Sequence, residues 1–79
     1  MSQQIIEAIE KSLRDNIADI QQLIVQGGGG HYTIQIVAPA FEGQSTINRH
    51  RLVMGAIKHL MDGADAPVHA LDRISASPA

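Results

Sequence analysis

A chain of 79 residues has room for one domain of modest stability, because at this length only roughly 60% or slightly more of the unfolded surface is buried. An apolar content of 44% against 18% charged excludes a disordered chain, and with Tyr32 and Phe41 as the only aromatics an aliphatic core leaves little space for a large substrate pocket. The lack of cysteine excludes disulfides, a thiol nucleophile and Cys-ligated zinc, so any metal ligand must be His, Asp or Glu; a net charge of -2 excludes whole-molecule attraction to nucleic acid or anionic lipid, though not a local basic face.

The chain does not start with a basic stretch followed by an apolar one, and nowhere do about 18 apolar residues run together. The expectation is a cytoplasmic protein with no membrane association. In residues 2–16, Ile5, Ile6, Ile9 and Leu13 recur at helical spacing, with Glu7, Glu10, Lys11 and Arg14 opposite. This predicts an amphipathic helix carrying two i,i+4 pairs, Glu7 with Lys11 and Glu10 with Arg14, on a solvated face.

Residues 19–26 are rich in Ile, Leu and Val and stop at four glycines, after which Tyr32, Ile34, Ile36 and Ala38 alternate with Thr33, Gln35 and Val37. Two strands flanking a glycine loop predict a hairpin. Four glycines exceed a two-residue turn, so the loop is expected to be long and mobile. Pro39 ends the second strand, and Ser45 is the expected N-cap of a helix, preceded by a short helical turn and running to about Met61, with Gly63 as its stop. On a helical wheel Leu52, Val53, Ala56, Ile57 and Leu60 form the buried stripe, with Arg51 and Lys58 pointing away. Arg49 falls on the buried side and His50 at its edge. Residues 65–67 read as a turn, 68–74 as a last strand and 75–79 as a frayed tail, giving a single domain over residues 1–79 in the order α-β-β-α-β.

The glycine run formally matches the GxxG of KH domains and resembles phosphate-cradling loops, but a KH loop joins two helices and the Gly-Lys-Ser/Thr ending of a P-loop is missing. A plain hairpin is the better reading. Gly43, Gln44 and Ser45 do not continue into a GxSxG elbow and the carboxylates are scattered, so no catalytic constellation is recognisable and an enzyme is not expected. His31 and His69 both fall at strand ends, and two histidines cannot complete a tetrahedral site without outside ligands. His59 has no evident role. A nucleic-acid face would use Arg51 and Lys58, with His50 and His59 beside them, although Asp62 shares that side.

The stretch FEGQSTINRHRLV at residues 41–53, followed by VHAL at residues 68–71, resembles the BolA family, which carries an F-x-G-x-S/P-x-x-x-R-H-R-x-V core and a later H-A-L. The resemblance implies an α-β-β-α-α-β fold related to class II KH domains, an α+β arrangement with a three-stranded sheet and helices on one face. It implies pairing with a monothiol glutaredoxin of the CGFS type and a shared [2Fe-2S] cluster, acting in cluster assembly, trafficking or iron sensing. The H-A-L histidine, here His69, would be one ligand, and His31 from the loop between the first two strands the second. Glutaredoxin cysteine and glutathione would supply the sulfur ligands, with no cofactor expected in the isolated chain.

Imidazole can replace thiolate on one iron of such a cluster, so a chain without cysteine could serve as a half-site. A ligating His must be deprotonated at its metal-binding nitrogen, so affinity is expected to weaken below about pH 6, where free imidazole is protonated. Histidine ligation also implies a more oxidising cluster than thiolates alone. The family resemblance allows a rival function, a transcriptional regulator that contacts DNA through the Arg-His-Arg segment, with His50, Arg51 and Lys58 as contacts. Whether the isolated chain is a monomer or a homodimer is left open. The family often ends its last strand in Thr-Pro, where this chain has Ser77 and Pro78.

Overall fold

The hydrophobic pattern resolves into two helices laid on one face of a three-stranded sheet. In the computed structural model, which describes residues 2–78, the order is α1 (Ser2–Asn16), β1 (Gln22–Gly28), β2 (His31–Val37), a 3-10 turn (Pro39–Phe41), α2 (Thr46–Ala56), a second 3-10 turn (Lys58–Leu60) and β3 (Ala70–Ser77). The sheet order is β1-β2-β3, antiparallel between β1 and β2 and parallel between β2 and β3. The connection between the parallel strands carries α2, the length of crossover that parallel pairing requires.

Strand alternation decides which side chains meet the helices. Leu23 pairs with Ile36 and Val25 with Ile34, and across the other ladder Ile34 pairs with Ile74 and Ile36 with Ala76. Partners in a ladder share a face. These residues, with Tyr32, join Ile9 and Leu13 of α1 and Val53, Ala56 and Ile57 of α2 in one core. Burying a side chain such as Leu13 or Ile57 contributes about 1.5–3 kcal/mol each, which is why α1 holds its amphipathic stripe against the sheet.

Several expectations change here. Gly27 and Gly28 pair with Tyr32 and His31 in the ladder, so the glycine run is not a long loop. The turn is Gly29 and Gly30 alone, at φ 61° and 85°, the positive pair that a two-residue I′ hairpin needs to match strand twist. Residues 75–77, expected to fray, are paired in β3 with Gln35, Ile36 and Val37. Small polar side chains do not prevent pairing, because the ladder uses only backbone groups. Of the two remaining tail residues, Pro78 follows the strand without joining it and Ala79 lies outside the described residues.

The long helix ends at Ala56 rather than near Met61. Ile57 leaves helical geometry at φ -118° and ψ 13°, and the chain continues as a 3-10 turn with its side chain buried. Leu52, placed in the buried stripe by the wheel, is 43% exposed. The side chains that turn inward are Val53, Ala56 and Ile57, with Arg49 half-buried before them and Leu60 packed against the core after them, so Leu52 alone of the expected stripe stands on the flank. On α1, Lys11 bonds to Asp15 at 2.7 Å instead of Glu7, a well-exposed pair that adds little stability.

Candidate functional site

The start of α2 is built as its sequence suggests. Ser45 caps it, its Oγ accepting from the Asn48 N–H at 3.1 Å, and Phe41 just before it is fully buried. Arg49 turns back along the buried side: its Nε donates to the Gln44 carbonyl at 2.9 Å and its Nη1 to the Ala76 carbonyl at 3.0 Å. Arg49 therefore ties the helix to β3. Phe41, Arg49 and Val53 are fastenings of the fold.

At one end of the sheet the glycine turn meets the His-Ala-Leu segment. The Gly30 carbonyl accepts from both His69 N at 2.8 Å and Ala70 N at 3.0 Å. Upstream, Val68 is buried and donates its N–H to the Leu60 carbonyl at 3.1 Å, so the segment is held on both sides of His69. Buried Val68 and exposed His69 follow one another, which leaves the imidazole outside the core. Among the described residues its ring nitrogens have no hydrogen-bond partner.

His31 opens β2 opposite Gly28 on one side and Ala70 on the other, so it is the ladder neighbour of the residue that follows His69. Its Nδ1 lies 3.1 Å from Asp72 Oδ1, with both side chains more than half exposed. The fold thus brings His31 and His69 to the same sheet end, because β2 and β3 run parallel and begin side by side. No group of three or more His, Asp or Glu side chains among the described residues could hold a metal alone.

His50, Arg51 and Lys58 lie elsewhere. His50 is half-buried on α2, while Arg51 and Lys58 are exposed and line a shallow groove of about 340 Å³ with Met54, Gly55, Met61 and Asp62. The helical wheel already puts Arg51, Lys58 and Asp62 on one outward side; what it does not mark is the apolar part of the lining, Met54, Gly55 and Met61. A larger hollow of about 400 Å³ lies on the sheet face away from the helices, lined chiefly by Ile24, Gln26, Thr33, Gln35, Arg73 and Ser75. His59 is not idle, since its Nε2 lies 3.1 Å from Ser12 Oγ and links the second 3-10 turn to α1. Asp72 and Gly30 had no signal in the sequence, because one depends on strand register and the other on a long-range contact.

Residues 1–78 match the family model for BolA-like protein. The chain belongs to the BolA-like family. Human BolA-like protein 1 is 30% identical over 76 residues, covering 90% of this chain and 53% of that protein. The UV-induced protein uvi31 of Schizosaccharomyces pombe is 46% identical over 41 residues, 52% of this chain and 37% of its own length. The chain therefore spans about half or less of these curated relatives.

Solved structures of the family share the fold. The BolA domain of SufE1 from Arabidopsis thaliana superposes with a TM-score of 0.79 at 26% identity, covering 94% of this chain and 91% of that one. Mouse BolA1 gives 0.74 at 32% identity over 94% and 64% of the two chains. Two helices and a three-stranded sheet are thus the family's α+β fold. Among the described residues no helix is long and apolar enough to cross a membrane.

Proposed function

We propose that this BolA-like chain is a non-catalytic adaptor that pairs with a CGFS monothiol glutaredoxin and contributes imidazole ligands to a shared [2Fe-2S] cluster. The observation that carries the reading is His69: an exposed imidazole without a hydrogen-bond partner among the described residues, seated against the glycine turn and next in chain to the ladder partner of His31. Such a cluster accepts neutral imidazole in place of thiolate and supplies a redox-active, transferable iron centre.

The donor set fits a half-site. Two imidazoles stand at one end of the sheet, and the chain has no thiol, so the sulfur ligands must come from the glutaredoxin cysteine and glutathione. In this arrangement the chain binds and orients; iron-sulfur assembly, trafficking or sensing follows from what the pair delivers. Combining the chain with a CGFS glutaredoxin, iron, sulfide and glutathione is expected to give a heterocomplex with a histidine-perturbed visible spectrum. His69→Ala should abolish that perturbation, and an unchanged spectrum would remove the ligand assignment. His31→Ala should give a partial loss.

A second reading, a DNA-binding regulator, draws on Arg51 and Lys58, which share one exposed groove. Against it stand the net charge of -2 and the small number of cations on that face.

A further inference from the structure

β3 carries one residue too many for its partner. Tyr32 lies opposite Leu71 and Thr33 opposite Arg73, which leaves Asp72 without a place in the ladder. A bulge of this kind bends the strand and re-aims a side chain. Leu71 and Ile74 on its flanks both pack against the core, while Asp72 and Arg73 are both exposed. The extra residue thus preserves inward packing on either side and frees Asp72 to face another strand. What it faces is His31, with Asp72 Oδ1 3.1 Å from the imidazole Nδ1.

We infer that Asp72 is the positioning residue for His31, holding its neutral imidazole as the Nδ1–H tautomer so that Nε2 is the open, metal-facing nitrogen. This rests on the shared-cluster reading above. A carboxylate accepts hydrogen bonds and does not donate them, so Nδ1 must carry the proton and the lone pair falls on Nε2. Metal-ligating histidines are commonly oriented by a carboxylate on their second nitrogen in this way. The pair is 60% and 55% exposed, so it contributes little to folding; its consequence is orientation. The two histidines are held differently, since His69 is set by packing against Gly30 and His31 by Asp72.

The test uses the apo chain first. Long-range 1H–15N spectra of 15N-labelled protein at pH 8 should show His31 as the Nδ1–H tautomer. Asp72→Ala should shift it toward the Nε2–H form that free imidazole favours in water, and Asp72→Asn, which keeps a carbonyl acceptor, should fall between. In the glutaredoxin heterocomplex, Asp72→Ala should speed loss of cluster to a chelator by about tenfold or more, within the range for outer-shell partners. Asp72→Asn should recover part of that loss.

An unchanged His31 tautomer in Asp72→Ala overturns the inference. So does a tautomer change with cluster retention equal to wild type, which would make the pair irrelevant to the ligand. If the wild-type chain forms no cluster with the glutaredoxin, the shared-cluster reading fails and takes the metal-facing role with it, while the apo spectra still decide whether Asp72 controls the tautomer.

Discussion

The imidazole of His69 occupies the space that a side chain at Gly30 would need: a Cβ built on Gly30 would overlap the ring's Cδ2. Gly29, its neighbour in the turn, has nothing within 4 Å of the same position, although both residues have positive φ. The two glycines are therefore required for different reasons. One shapes the turn, and the other shapes the turn and seats the histidine.

The contrast makes the first prediction. Gly29→Ala should lower stability by about 1–2 kcal/mol, the cost of a left-handed alanine, and leave the His69 resonances in place. Gly30→Ala should cost more and shift those resonances, because the imidazole must move. Urea denaturation and His69 imidazole NMR shifts check both. Equal effects of the two substitutions on His69 would remove the seat.

Arg49 is the second. In the order β1-β2-β3 the outer side of β3 has no strand beside it, and the Ala76 carbonyl there is met by the Arg49 guanidinium instead. Arg49→Ala should cost about 1–2 kcal/mol, a charged hydrogen bond discounted for partial exposure. Arg49→Lys should recover less than half, since a point charge cannot reach both Gln44 and Ala76 as the fork does. The expected signature is a lower urea midpoint with an unchanged slope, together with faster hydrogen exchange near the end of β3.

How far the sequence spoke for itself depended on whether the signal was local. Ser45 as a cap, the buried sense of Arg49 and the inward alternation of Tyr32, Ile34 and Ile36 were legible, because each follows from backbone period or neighbouring side chains. The glycine run was not, since composition cannot say which two of four residues turn when the register across the hairpin decides it. Residues 75–77 were read as tail because a parallel edge strand draws on backbone pairing to β2, not on its own apolar pattern. At the candidate site the two histidines were visible, but Asp72 was not, because it depends on a bulge that only the register reveals.

The wheel's error at Leu52 supplies the third prediction. Ile57 is fully buried, whereas Leu52 is 43% exposed. Ile57→Ala should cost about 2–5 kcal/mol, the range for an aliphatic residue truncated in a core, and Leu52→Ala less than about 1 kcal/mol. Thermal or chemical melting of the two variants measures the difference. Costs of similar size would return Leu52 to the buried stripe and shift the phase of α2.

The groove beside Arg51 and Lys58 lies apart from the two histidines, and its two kinds of lining residue tell whether a protein surface or DNA contacts it, because they respond differently. Arg51 and Lys58 can serve either partner, but Met54, 44% exposed, offers apolar contact that phosphate does not use. If a glutaredoxin docks here, neutralising Arg51 and Lys58 should mainly slow association and weaken its salt dependence, and Met54→Ala should lower affinity by loss of packing. If DNA binds, each cation removed should reduce the salt slope of log K by about 0.9, while Met54→Ala changes nothing. Surface binding kinetics over a salt series, with the glutaredoxin and with a DNA duplex, separate the two. A large effect of Met54→Ala favours the adaptor even where both partners show salt dependence, because only packing against a protein surface requires that side chain.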